Sequence, residues 1–528
     1  MKRFIAMSMA LVLLLVLSSC QSSEENTTEC AYCGKDITAT ASFCEFCGER
    51  VQGDKTPTHN TTTTQNTTTT QNSTTTQNTP TQNTTVTLGT CSVHIWKPAT
   101  CTVPKTCLRC PTTEGSALGH NMVEGACSRC GYTSIEHKPK LIIWETQKPI
   151  LDLAIMDYEI VHPNVTVVVE AVPNAGGNML TALKMAIGAG IAPDMINTPS
   201  DYIQSMGKAG YLAELTPYGA QSIKSLFVEK AWNAANMDAS KIYALPFDAN
   251  VVNFAYNKDL LDEIGASVPN TLADMKNIGE KLKAKYGSNS GKYLFAGAYN
   301  PEFYGSSFAT KDFVCQHYFS YLWRMGGDIF NADYTECTIN SDAAVEALQL
   351  MVDMKNKGYY TPNHPVEEFN AGNAVMYNDT TIFVFESMKS APFYIEMALQ
   401  PTLKEGVAPY TNMGLYCYAV TSESKNKQAA YDFLEFLCTD VDYQIDYCKP
   451  VYFIPTLKAA LDTSYFKTED WKVVLEQFKY SKSTPGIENW QEMEMFIYDA
   501  IQSALNGRVS AKNALDCAKE IIDALMPQ

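Results

Sequence analysis

From residue 138 onward, apolar positions fall into short unbroken runs separated by stretches of helical period. Residues 141–144 (Leu-Ile-Ile-Trp) are one such run and residues 165–170 a second, with a helical pattern between them. Strand, helix, strand predicts parallel pairing with helices laid on the sheet faces. Residues 241–247 alternate weakly and meet Pro246, whereas residues 251–256 are β-branched and aromatic and predict a buried strand. Tyr256-Asn-Lys-Asp259 then breaks into a helix at Leu260. A strand that stops, bends at a proline and restarts predicts a crossing between two lobes. Residues 413–420 predict a second crossing strand.

The helical stretches carry their own signals. Thr271-Leu-Ala-Asp274 opens a capped helix, with Asp where a capping box prefers Glu. Ser341 caps the next, on which Val345, Leu348 and Val352 share a face, and Gly358 ends it. Ala430, Phe433, Leu434 and Leu437 align on another helix, and Leu515, Ala518, Ile522 and Leu525 on the last.

Length and charge narrow the reading. A chain of 528 residues exceeds one core, and 45% hydrophobic residues indicate a globular bulk. The net charge of −17 argues against nucleic acid and against adhesion to anionic lipid.

The first 137 residues are built differently. A basic Met1-Lys-Arg3 precedes an apolar stretch at 4–17, the pattern of a secretory signal, too short for a membrane span of about 20 residues. It ends Leu17-Ser-Ser-Cys20, which resembles the lipobox of bacterial lipoproteins, with Ser19 where Gly or Ala is usual. That resemblance implies diacylglycerol on Cys20, cleavage before it and further acylation of the new amine, such as palmitate. Cys30-x2-Cys33-Gly and Cys44-x2-Cys47-Gly are two knuckles whose four sulfurs suit tetrahedral zinc and resemble a zinc ribbon. Residues 61–85 contain no aliphatic or aromatic residue. They cannot build a core, and so predict a disordered spacer within a 51–90 linker. Residues 91–137 carry six cysteines and three histidines, enough for two sets of four. The stretch with Cys101, Cys107, Cys110 and His120 resembles a Cys/His repeat of surface proteins from anaerobic Gram-positive bacteria, and Cys127-x2-Cys130 reads as the start of a second copy. Zinc and disulfides both remain open here. Either role is structural, because a closed ligand shell leaves no catalytic position.

Tyr243-Ala-Leu-Pro246 followed by Tyr256-Asn-Lys-Asp-Leu260 resembles the hinge-crossing signature of extracellular solute-binding proteins of the maltose-binding class. Gly188-Ala-Gly-Ile-Ala-Pro193-Asp194, Gly210-Tyr-Leu-Ala-Glu-Leu215 and Phe369-Asn-Ala-Gly372-Asn-Ala-Val-Met376 match further family patterns. The resemblance covers 138–528. It implies an α/β, two-lobed periplasmic-binding-protein fold of type II, with one lobe at about 138–248 and 420–458 and the other at about 253–412 and 459–528. It also implies a monomeric, lipid-anchored subunit on the outer face of a Gram-positive cell membrane, which hands a captured solute to ABC permease subunits.

Ligands in such folds sit beyond the carboxyl ends of strands and between lobes. Lys148 follows the first strand; Thr198 and Asp201 follow the strand after Pro193-Asp194; Asp248 and Asn250 lie at the crossing; Asp379 follows the Phe369 signature. Relatives place a carboxylate at the position of Asp201 and an aromatic where this chain has Thr198. They also carry ligand contacts at the positions of Gln316, Tyr318, Trp490 and Glu494. Carboxylates, amides and aromatic faces suit a neutral sugar, which predicts an oligosaccharide ligand and no cofactor in this domain. Asp194 reads as structural. A peptide, polyamine or phosphate ester is the alternative solute. A glycoside hydrolase using two of Asp201, Asp248 and Asp379 is a different class, as is an adhesion or signalling arm built on the zinc modules. The six cysteines after residue 300 lack metal spacing; Cys438 and Cys448 either pair or stay free.

Overall fold

A computed structural model describes residues 27–29, 36–38, 96–107, 112–123, 126–130, 139–145, 148–171, 179–238, 240–288, 290–297 and 308–526. The signal stretch, Cys20, the cysteines at 30, 33, 44 and 47, the spacer and Cys110 lie outside them. The chain forms two compact units, Met1–Thr87 and Leu88–Gln528. In the first, Thr27–Glu29 pairs antiparallel with Asp36–Thr38. The second holds both the Cys/His segment and the large domain. In the Cys/His segment Trp96–Lys97, Lys105–Cys107 and Thr113–Glu114 form a small antiparallel sheet, and Met122–Val123 pairs with Ala126–Cys127.

The large domain starts with β1 (Lys140–Trp144), α1 (Lys148–Val161), β2 (Thr166–Glu170), α2 (Met179–Ala189), β3 (Met195–Pro199) and α3 (Ser200–Lys208). β1 lies between β2 and β3, parallel to both, as the strand-helix-strand pattern predicts. β4 (Ala244–Asn257) is the long central strand. After it come α4 (Leu272–Tyr286), β5 (Tyr293–Ala296), α5 (Phe308–Arg324), α6 (Asp342–Asn356), β6 (Ala374–Thr380) and β7 (Ile395–Ala398). β8 (Thr411–Val420), α7 (Lys427–Thr439), α8 (Val441–Val451), β9 (Ile454–Pro455), α9 (Glu469–Lys479), β10 (Ser481–Lys482), α10 (Trp490–Leu505) and α11 (Ala511–Leu525) complete it. The sheet runs β5-β6-β4-β8-β3-β1-β2, with β7 and β9 also on β4 and β10 on β8.

β4 is one continuous strand, which corrects the expected stop and restart. Proline has no N–H to donate, and the ladder with β8 absorbs this by shifting register between Pro246 and Asp248. The first half of β4 pairs with β8 and β9; from Val252 it pairs with β6 and from Phe254 with β7. β8 crosses at its start, where Thr411 Oγ1 donates to Val252 O at 2.7 Å and Asn412 N donates to Ser320 Oγ at 3.2 Å. Asn257 ends β4 by accepting the Leu260 N–H at 2.9 Å, which starts the expected helix.

Two hydrophobic cores flank this crossing. Leu141, Ile143, Leu183, Ile203, Leu245, Phe433 and Leu434 belong to the first. Phe254, Leu282, Tyr318, Trp323, Leu348, Met351, Trp490 and Leu515 belong to the second. Phe466, Trp471, Val474 and Phe478, from a segment expected in the second lobe, pack into the first core, which also reaches Phe369, Tyr377 and Val384. Cys438 and Cys448 are buried there as free thiols, not a pair.

Local signals hold where they are short-range. Thr271 and Asp274 form the reciprocal capping box, so Asp does what Glu usually does. On α6 the buried face is Ala344, Ala347, Leu348 and Met351, with Val345 and Val352 at its edges. Gly207 on α3 meets the Tyr243 ring: a Cβ there would lie 2.5 Å from Cδ2. Gly207→Ala therefore overpacks a rigid contact and is expected to cost about 1–3 kcal/mol, read from the urea midpoint. An unchanged midpoint would mean that the ring moves freely.

Candidate functional site

The carboxyl ends of β1 and β3 and the first half of β4 converge beside β8. Pro199, Tyr416 and Asp248 stand in one row across β3, β8 and β4. Residues two apart on a strand share a face, so Tyr416 and Tyr418 point the same way. The Tyr418 hydroxyl donates to Glu145 Oε2 at 2.6 Å, and Glu145 is the first residue past β1. Phe247 packs edge-on against Tyr418 and Tyr447, at 5.1 and 4.9 Å between centroids. Tyr416 is 38% exposed within this otherwise buried patch.

Asp248 is 0% exposed, and neither carboxylate oxygen has a hydrogen-bond partner among the described residues. Burial, and then the nearby Glu145 charge, push its carboxyl well above the usual range. Burial followed by the charges of Asp248 and Glu145 likewise raises the Tyr447 hydroxyl. Thr198 Oγ1 and Asn197 Nδ2 are buried at the end of β3 without partners among the described residues. Asp201 is half-buried in the first turn of α3, and its charge, after burial, Asp248 and Cys438, contributes to raising the Cys417 thiol. Asn250 is half-buried opposite Gly414, where a Cβ would stand 3.0 Å from its Oδ1, so glycine leaves the amide its space.

The second lobe treats its candidates differently. Asp379 is fully engaged at home: it accepts from the Tyr377 hydroxyl at 2.6 Å and from Thr380 N at 2.7 Å. Burial outweighs these bonds and pushes its carboxyl up to about 6. It does not meet Asp248, which lies among first-lobe side chains. Tyr318 is a core residue whose hydroxyl donates to Ala344 O at 3.1 Å. Trp490 is 0% exposed between Phe319 and Phe330. Glu494 is taken up by Lys311, 2.5 Å away in a buried ion pair. A helical face reads the same whether it meets a cleft or a neighbouring helix, which is why Tyr318 and Trp490 looked like ligand contacts and are packing. Gln316 is half-buried on α5, and Lys148 opens α1 with its side chain outside the described residues. Asp194 is structural as expected: it accepts from Ile142 N at 2.9 Å and from Ser424 Oγ at 2.6 Å.

Glu145, Tyr416, Tyr418 and Tyr447 were not anticipated. The strand-end rule that selected Thr198 applies equally to Glu145. Tyr416 and Tyr418 were visible as alternate positions of the second crossing strand.

In the Cys/His segment, ligand atoms of Cys101, His120, Cys127 and Cys130 all lie within 4.8 Å of one another. Burial works against the Cys127 thiolate, but N–H donors from Arg129, Cys130 and Asn121 and the His120 ring hold that thiol down to about 5. Cys107 is buried on its own strand, outside this group.

The profile of the family described as bacterial extracellular solute-binding protein matches residues 145–442, and the chain belongs to that family. The galactooligosaccharide-binding protein of Bacillus subtilis is 24% identical over 392 residues, which are 72% of this chain and 88% of the relative. A maltooligosaccharide ABC transporter solute-binding lipoprotein of Streptococcus pneumoniae is 24% identical, over 65% of this chain and 79% of its own length. The crystal structure of the cyclic alpha-maltosyl-1,6-maltose binding protein from Arthrobacter globiformis superposes with a TM-score of 0.63 at 22% identity, covering 74% of this chain and 99% of that one. The fold is thus that of the type II periplasmic sugar-binding proteins. None of the described helices is long and apolar enough to cross a membrane.

Proposed function

We propose that the chain is the capture subunit of an ABC importer, anchored through Cys20 outside the cell membrane, and that it encloses an oligosaccharide between its lobes. The observation that carries this is the set of buried polar atoms of Asn197, Thr198 and Asp248, unpartnered among the described residues, beside the 38% exposed Tyr416. Buried polar atoms without partners are costly, and sugar hydroxyls supply donors and acceptors together. An aromatic face covers the C–H side of a pyranose. Glu145, Asp201 and Asn250 extend the same wall. The relatives, a galactooligosaccharide-binding protein and a maltooligosaccharide ABC transporter solute-binding lipoprotein, agree in ligand class. Cys30, Cys33, Cys44 and Cys47 hold one structural zinc in the anchor-proximal ribbon.

Melting the full chain with maltotetraose or galactooligosaccharide tests this. Sugar at a hundredfold its dissociation constant stabilises by about 2.7 kcal/mol. Tyr416→Ala should weaken sugar binding about tenfold, the equivalent of one stacked ring. A shift with spermidine or a sugar phosphate, and none with neutral sugars, would overturn the ligand class.

A further inference from the structure

We propose that Cys101, His120, Cys127 and Cys130 close around one zinc ion, making 101–130 a single metal-stapled unit next to the solute-binding domain. Cys101 Sγ and Cys127 Sγ are 3.6 Å apart, and Cys130 Sγ and His120 Nδ1 are 3.3 Å apart. Ligands bound at about 2.0–2.3 Å on a tetrahedral zinc stand about 3.3–3.8 Å from each other, so these two edges already have the right length.

The chain brings the four together by bonds independent of the metal. Leu118 N donates to Thr100 O at 2.7 Å and Gly119 N to Cys101 O at 3.0 Å, which sets His120 beside Cys101. Ser128 N donates to Asn121 O at 2.9 Å, and Asn121 N donates to Cys127 Sγ at 3.3 Å. That N–H to sulfur bond is the outer support a metal thiolate needs. Arg129 Nη1 donates to Leu118 O at 2.8 Å and ties the knuckle to the segment that carries His120.

The unit has little else to hold it. Among its described residues, Cys101, Cys107 and Cys127 are the buried apolar side chains. A segment this short needs a staple. A disulfide between Cys101 and Cys127 would use two of these four clustered ligand atoms, whereas one zinc uses all four. The downstream Cys-x-x-Cys therefore completes the upstream site and does not begin a separate one. With three sulfurs and one imidazole the shell is full, and the metal is structural.

The test uses the full chain with the cysteines at 30, 33, 44 and 47 changed to serine, so that the ribbon contributes no metal. Zinc per chain is measured by mass spectrometry after dialysis against a chelator. Cys130→Ser, Cys127→Ser and His120→Ala should each lose one equivalent, and Cys107→Ser should keep it. Because a variant may lose zinc by misfolding, His120→Cys is the second probe. It should retain the metal and, loaded with cobalt, shift the tetrahedral visible bands toward those of a four-thiolate site. Equal zinc in all of these variants overturns the proposal. So does a parent protein without zinc whose peptide map shows Cys101 joined to Cys127. Sugar binding by the large domain is unaffected by either result.

Discussion

Lys311→Met is expected to lower the unfolding free energy by about 3–5 kcal/mol, because it removes the ammonium from a buried ion pair. Lys311 and Glu494 have side chains only 3% and 5% exposed, and they join α5 to α10 inside the second core. Water cannot take the place of the lost ammonium there. Glu494→Leu in the same background should recover most of the loss, since an apolar pair of similar volume is often as stable as a buried ion pair. Urea unfolding of the four proteins gives the coupling energy directly. A coupling near zero would mean that the pair is solvated in practice. The partners are 183 residues apart, so nothing in the local pattern around either announces the other.

Asp248→Asn should do the opposite to stability and harm binding. The folded carboxyl titrates well above its ordinary value because it is buried beside Glu145. Near pH 4 and below, the group is protonated in both states and costs little. As pH rises, the unfolded chain releases the proton while the folded protein must keep it, so stability falls until the folded group also ionises. Asparagine removes this decline. The variant should match the wild type near pH 4 and exceed it by about 1–2 kcal/mol at pH 7, the cost of one unsatisfied buried group. Asp379, raised to about 6, adds its own decline between its unfolded and folded titrations, but it is present in both proteins and cancels in the comparison. If the orphaned oxygens of Asp248 accept sugar hydroxyls, the same variant should bind oligosaccharide at least tenfold more weakly. An equal difference at pH 4 and pH 7 would refute the titration argument; unchanged sugar affinity would remove Asp248 from the site.

The parts of the fold legible in the sequence are those set by neighbours along the chain. The unbroken apolar runs of β1 and β2, the cap of Ser341 and the buried face of α7 all follow from local spacing. Pro246 misled because a proline reads as a break, while a register shift against β8 lets the strand continue. The proposed binding wall was half visible. Thr198, Asp201, Asp248 and Asn250 lie at strand ends that sequence can locate. Glu145 acquires its meaning only when Tyr418, 273 residues later, reaches back to it. For the reverse reason Tyr318 and Trp490 lie in the second core and Glu494 pairs with Lys311: their helices turn toward each other, a fact held in three-dimensional packing alone. The Cys/His cluster shows the same limit, since spacing supplied its cysteines but not which of them come together.

The uninterrupted run of β4 has a consequence for how the molecule can be taken apart. Residues 244–251 serve one half and residues 252–257 the other, so no cut in the gene separates them cleanly. A fragment ending before that strand lacks the middle of its own sheet; one beginning after it has lost the partner on which β6 and β7 both lean. Each half is in this sense the scaffold on which its neighbour is completed, and the pair is inherited, made and degraded as one object.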